Sequence, residues 1–94
     1  MVKAIWDKTV LAESNDFKIV DGHYYFPINS VKKQYLRKSS TKQADVKNGT
    51  ADFYNIVEGQ NVCWNAAWSY PEPRDTATGI KDHIGFSASI KIKK

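Results

Sequence analysis

Hydrophobic and polar positions alternate over short spans of this chain, and turn-forming residues interrupt the alternation every few positions. Side chains on a strand repeat every second residue, so this pattern predicts short antiparallel strands rather than long helices. Val2 to Trp6 and Thr9 to Glu13, separated by Asp7-Lys8, read as a hairpin. Ser14-Asn15-Asp16 turns the chain into a third strand, Phe17 to Val20, with Phe17 and Ile19 on one face. Asp21-Gly22 is a two-residue turn, since glycine supplies the positive φ that such a turn demands, and His23 to Phe26 returns from it until Pro27 stops the strand. Asn29 or Ser30 can cap a short helix to about Leu36, with Val31 and Tyr35 inward and Lys32 and Lys33 outward.

From Arg37 to Gly49 the chain is polar and shows no periodicity. It is expected to be a long loop, near the upper length for a structureless connection in a compact domain, where loops are often functional or mobile. Gly49 to Val57 alternates again, Glu58-Gly59-Gln60-Asn61 turns, and Val62-Cys63-Trp64 begins the return, with Asn65 marking a bulge. Next comes the densest group of large apolar and backbone-fixing residues, Ala66-Ala67-Trp68-Ser69-Tyr70-Pro71-Glu72-Pro73. Trp68 and Tyr70 share one strand face and Ala67 and Ser69 the other. That face is either part of the core or the wall of a ligand site. The prolines lack backbone N–H donors and disfavour helix before them, so the strand ends near Tyr70 in an extended corner.

Asp75 is a helix N-cap for a short helix from Thr76 to Asp82, weakened at Gly79 by about 1 kcal/mol relative to alanine. His83 to Lys93 alternates cleanly, with Ile84, Phe86, Ala88, Ile90 and Ile92 on one face and a lysine-rich outer face suited to a sheet edge. The sum is a mainly β fold, a compact antiparallel β domain with one or two short helices, formed by residues 1–94 as one unit. Trp6, Tyr25, Phe53, Trp68, Ile84 and Phe86 are its expected core.

Composition narrows the setting. Hydrophobic residues at 41% and aromatics at 13% suffice for a core of modest size in 94 residues. Fourteen Lys and Arg against ten Asp and Glu leave +4, which favours anionic partners without specifying one. The single Cys63 excludes an intramolecular disulfide and a multi-cysteine zinc site. No apolar run approaches the roughly 20 residues of a membrane helix, and the first residues lack the apolar core of a signal peptide. The expectation is a cytoplasmic protein.

The chain shows no nucleophile–base pair, no metal-ligand spacing and no phosphate loop, so whether it is an enzyme stays open and no catalytic residue, metal or cofactor is assigned. Cys63 in a strand pattern beside Trp64 reads as a small filler; a nucleophile would need a base beside it, and sequence does not place His23 or His83 there. The aspartates fall at turns and helix ends, where short carboxylates satisfy backbone donors. Lys32, Lys33, Arg37, Lys38, Lys42 and Lys47 cluster with only Asp45 opposing them, interleaved with Tyr35, Ser39, Ser40 and Thr41. This segment reads as a solvated face, as a site for a small anion through charge-assisted hydrogen bonds, or, with least support, as a single-stranded nucleic-acid surface.

The blocks Ala4-Ile5-Trp6, Val10-Leu11-Ala12-Glu13-Ser14, His23-Tyr24-Tyr25-Phe26-Pro27, Gly49-Thr50-Ala51-Asp52-Phe53-Tyr54 and Ala66-Ala67-Trp68-Ser69-Tyr70-Pro71-Glu72-Pro73 occur in this order. Together they resemble the small bacterial and archaeal proteins grouped as domain of unknown function 427 (DUF427), over nearly the whole chain. The resemblance implies a compact β fold of the Mss4-like, or β-tent, kind without that fold's usual zinc. It carries over no established activity. Members of the family often have Cys-Pro-aromatic-Lys-Gly before the Thr-Ala strand. Here the stretch is Asp45-Val46-Lys47-Asn48-Gly49, with no thiol.

These readings converge on a binding module for a small polar or anionic ligand. The alternative is an enzyme acting on a nucleotide or another phosphorylated small molecule, and the third reading is a protein-interaction adaptor. The expected site lies where the Arg37–Lys47 segment meets the Trp68–Glu72 corner. Arg37 and Lys47 would hold an anionic group, Tyr54 and Trp68 supply an apolar wall, Tyr70 a hydroxyl and Glu72 an acceptor. A small anionic ligand is the expected partner, with nucleic acid and membrane disfavoured.

Overall fold

A computed structural model describes the backbone of residues 1–94 and the side chains of all but Thr76 and Thr78. Nine strands form two antiparallel sheets. Strands β1 (Val2–Trp6), β2 (Thr9–Ser14) and β9 (Lys91–Lys93) make a three-stranded sheet in the order β2-β1-β9. Strands β3 (Lys18–Val20), β4 (His23–Pro27), β5 (Leu36–Asp45), β6 (Gly49–Glu58), β7 (Asn61–Ser69) and β8 (His83–Phe86) make a six-stranded sheet in the order β3-β4-β8-β7-β6-β5. Asp7 and Asp21 hold the tight turns at φ 57° and 52°, a region that short polar side chains tolerate. Asn65 also has positive φ, 52°, where the β6–β7 register shifts, and its amide donates to Asn55 Oδ1 at 2.8 Å. The bulge expected at Asn65 is thus present.

The main core lies between the sheets. Ala4, Leu11 and Ala12 from the small sheet meet Phe26, Ile56, Ala67, Ile84 and Phe86 from one face of the large sheet. Small alanines on the facing strands let the layers close around Phe26, whose exposure is 0%. Alternation then sends the neighbours of these residues to the opposite face. There Tyr25, Ala51, Tyr70 and Ile80 form a second cluster, with Phe53 and Trp68 packed against it. The large sheet is therefore apolar on both faces, and its outer face is only partly covered. Among the described residues no helix is long and apolar enough to cross a membrane.

Five sequence expectations need correction. The Arg37 to Gly49 segment is no loop: its residues up to Asp45, together with Leu36, form β5, which pairs with β6 through Lys42↔Asp52, Gln43↔Ala51 and Asp45↔Gly49. An edge strand needs no apolar face to form, because the backbone ladder to β6 holds it, and so the polar sequence concealed it. Its register breaks between Lys38 and Lys42, where Ser39 Oγ accepts from the Thr41 amide and donates to Asn65 Oδ1. The helix expected up to Leu36 is instead two 3-10 turns, Ile28–Ser30 and Lys33–Tyr35, separated by Val31 bridging Ala12. The helix placed at Thr76–Asp82 is a 3-10 segment, Asp75–Ile80, broken at Ala77.

The single strand expected over His83–Lys93 is divided. β8 sits inside the large sheet between β4 and β7, and the chain then turns through Ser87, whose carbonyl accepts from the Ile90 amide, into the other sheet. Of these two strands, the lysine-bearing β9 is the edge. Of the expected core, Tyr25, Ile84 and Phe86 are buried, whereas Trp6, Phe53 and Trp68 are half-buried. Trp68 is held back from full burial because it lies on the outer face of the large sheet rather than between the sheets.

Candidate functional site

The outer face of the large sheet carries a hollow of about 400 Å³. Its floor comes from β4, β6, β7 and β8. Trp68 pairs across strands with Gly85, and a Cβ on Gly85 would come within 2.7 Å of Trp68 Nε1 and of Tyr25 Cε2. Glycine at that position therefore lets the indole lie across the sheet. The indole is fixed there by donating from Nε1 to Tyr25 Oη at 3.0 Å and by the rings around it. His23 and Tyr25 meet it edge-on, at centroid distances of 5.0 and 6.4 Å, and Phe53 is tilted against it at 5.7 Å. Edge-to-face contacts of this kind favour the ring quadrupoles.

The rim is polar. Asp45, at the end of β5, accepts from the Lys47 amide at 2.8 Å, from Asn48 Nδ2 at 3.2 Å and from the Tyr70 hydroxyl at 3.3 Å. The backbone N–H of Lys47 is the largest of the influences that hold the Asp45 carboxyl below its ordinary range. Asp21 accepts from Lys47 Nζ at 3.1 Å, and Gln43 completes the polar lining. His23 Nδ1 lies 3.2 Å from the Phe86 carbonyl. A carbonyl only accepts, so in this geometry Nδ1 carries the proton.

The Pro71-Glu72-Pro73 corner closes one end. The Arg74 amide donates to the Asn48 carbonyl at 3.1 Å, and the Glu72 carbonyl would stand 2.9 Å from a Cβ on Gly49, whose φ is 109°. The corner thus lies directly on the β5–β6 turn and holds Tyr70 beside Asp45. Asn48, 6% exposed, is clamped between them.

Burial, the nearby Tyr25 and the Asp45 carboxylate push the Tyr70 phenol up to about 12. Burial also raises Tyr25, against hydrogen bonds from Trp68 and Tyr70 that pull it back. A raised tyrosine pKa means that folding favours the neutral phenol. The stability this contributes is complete below pH 10, the ordinary value, and is lost as pH rises to about 12. Alkaline titration of phenolate absorbance is expected to show a late step near pH 12 that Tyr70→Phe removes; an unchanged titration curve in that variant would contradict the assignment.

Of the residues the sequence nominated, Trp68 and Tyr70 line this hollow, and Lys47 reaches its rim through Asp21. The other three lie elsewhere. Arg37 sits beyond the register break from Gln43, their partners on β6, Asn55 and Ala51, being four residues or about 13 Å apart at 3.3 Å per residue, and its Nη1 donates to the Gln34 and Leu36 carbonyls, both at 2.9 Å. Tyr54 points to the opposite face of the sheet and borders a separate hollow with Leu36 and Lys38. Glu72 borders a third, with Lys42 and Asp52. Alternation explains the split: Tyr54 is odd-stepped from Phe53, and Lys42 from Gln43. The structure adds His23, Tyr25, Gln43, Asp45, Asn48 and Phe53. Their signal is legible in the shared faces His23/Tyr25 and Ala51/Phe53, whereas Gln43 and Asp45 lie in a polar strand with no apolar alternation to mark it. Among the described residues no three His, Cys, Asp or Glu side chains gather as a metal site. Cys63 Sγ lies 3.6 Å from Ser89 Oγ, away from this hollow.

A family model described as Domain of unknown function (DUF427) matches residues 1–93, so the chain belongs to that family. No curated protein matches it.

Proposed function

For this member of the DUF427 family we propose a binding module that holds a small polar ligand on the outer face of its six-stranded sheet. The observation that carries the reading is the pairing of an aromatic floor, Tyr25, Phe53 and Trp68, with a rim of hydrogen-bonding groups from Asp45, Asn48, Gln43 and Tyr70 around about 400 Å³. Apolar walls with a few convergent polar groups are the usual construction of small-molecule sites.

The lining favours a neutral or cationic ligand over an anionic one. Two carboxylates, Asp21 and Asp45, border the hollow, and Arg37 engages backbone carbonyls elsewhere. Catalysis has less support. A general acid or base works best with a pKa near the working pH. Here burial moves both phenols upward, and hydrogen bonds move the carboxyl of Asp45 downward. A docking role is the second reading, supported by Trp64, 73% exposed on β7 near Val62.

The test is a thermal-shift panel of small polar molecules against the wild-type chain, Phe53→Ala and Trp64→Ala. A ligand of the native state raises the melting temperature by mass action, about 2.7 kcal/mol of stabilisation at a hundredfold excess over Kd. The expected result is a rise in the wild type and in Trp64→Ala that Phe53→Ala loses. A rise lost only in Trp64→Ala would move the site to the exposed tryptophan, and no rise with any compound would reject the binding reading.

A further inference from the structure

Resting on that reading of the hollow, we propose that its ligand is a small alkylated ammonium ion, held by the aromatic floor and the field of the two carboxylates. The chain as a whole carries +4, yet the charged side chains lining this hollow, apart from His23, are the acids Asp21 and Asp45. Lys47 approaches the rim paired with Asp21 at 3.1 Å. A cation entering the hollow therefore meets the Asp45 carboxylate, whose hydrogen-bond donors, the Lys47 amide, Asn48 and Tyr70, are uncharged.

The rings supply the second element. The indole of Trp68 lies against Gly85, where a Cβ would collide with it. It lines the hollow together with Tyr25, Phe53 and Tyr70. Tryptophan is the most effective partner for a cation over a ring face, and the attraction grows when the cation is desolvated. The indole cannot swing away to solvent without giving up its bond to Tyr25 Oη, so the face is held ready before a ligand arrives.

The hydrogen-bond inventory decides between kinds of cation. A carboxylate has about four lone-pair positions, and a primary ammonium brings three N–H donors that all need acceptors. Asp45 has already committed positions to the Lys47 amide, the Asn48 side chain and the Tyr70 hydroxyl, and Asp21 is engaged by Lys47. A site where Asp45 has about one position left, set beside the rings of Tyr25, Phe53 and Trp68, suits an ammonium whose hydrogens are largely replaced by alkyl groups. About 400 Å³ lies at the small end of ligand pockets, enough for a small molecule rather than a peptide segment.

The experiment is calorimetric titration of the full chain with choline, with its neutral isostere 3,3-dimethyl-1-butanol and with acetate. Choline is expected to bind at least about tenfold more tightly than the isostere, the range that a cation over a desolvated ring adds. Asp21→Asn is the chosen charge variant, since asparagine tolerates the φ of 52° at that turn. It is expected to weaken choline several-fold and leave the isostere unchanged, with Phe53→Ala weakening both. Equal affinity for choline and the isostere, or tighter binding of acetate, would overturn the ammonium assignment while leaving the hollow a binding site. Should none of the three bind and no compound of the thermal-shift panel act through Phe53, the assignment and the binding reading would fall together.

Discussion

Phe26→Ala is expected to lower the free energy of unfolding by about 3–5 kcal/mol, the cost of emptying a fully buried aromatic position. Phe26 has 0% exposure and lies on the inner face of β4. Its ring is set against Phe86 at 5.8 Å, edge-on, and against Phe17 at 6.4 Å. Leu11, Ile56 and Ile84, the other large side chains with almost no exposure, belong to the same cluster. Strand backbones on both sides fix the spacing of the two sheets, so the neighbours can collapse only partly into the vacated volume. Stability of a domain of this size is typically about 5–15 kcal/mol, and the variant would therefore stand close to unfolding. Urea titration measures it through the shift in midpoint at constant slope. A loss below about 1 kcal/mol would mean that the two sheets do not share the core described.

Gly49→Ala is expected to cost about 2–6 kcal/mol from two separate sources. At φ 109° an alanine leaves its allowed backbone regions, a strain of about 1–3 kcal/mol. Its Cβ would also stand 2.9 Å from the Glu72 carbonyl. That oxygen is part of the backbone between two prolines and cannot rotate aside, so overpacking adds about 1–3 kcal/mol. Gly59 is the matched control. It also has positive φ, 59°, but nothing lies within 4 Å of the Cβ position, so Gly59→Ala should cost only about 1–2 kcal/mol. The two variants compared by urea titration separate contact from strain, and equal losses would show that the corner does not rest on Gly49. Because the same contact holds Tyr70 beside Asp45, Gly49→Ala should also bring the late tyrosine titration down from about 12.

Residues whose pattern carries burial were legible in the sequence. The hairpin of β1 and β2, the Asp21-Gly22 turn, the strand from Gly49 and the bulge at Asn65 all follow from alternation and turn chemistry. β5 was not legible, because an edge strand exposed on both sides needs neither apolar alternation nor β-branched residues; its register with β6 holds it. A flexible loop over residues 37 to 49 would let Arg37 and Lys47 meet; the strand from Leu36 to Asp45 holds them apart. Pairing also sorts Tyr54 and Phe53 onto opposite faces, and sequence alone gave no reason to choose between them. Alternation puts Trp68 and Tyr70 on one face, but the companions of that face across the sheet, Tyr25 and Gly85, become neighbours only through the pairing of β4 and β7 with β8. Asp45 stands where the resembled motif carries cysteine, and the fold puts that position on the rim of the hollow.

The central claim is that a ligand binds over Trp68. The chain has three tryptophans, Trp6, Trp64 and Trp68, and each gives its own indole N–H resonance in a proton–nitrogen correlation spectrum. Trp68→Phe identifies the Trp68 signal by its disappearance. Titration with a compound that raises the melting temperature should move the Trp68 resonance, whose N–H is bonded to Tyr25 Oη, and leave those of Trp6 and Trp64 in place. A Trp68 resonance that stays fixed while Trp64 or Trp6 moves would contradict the account.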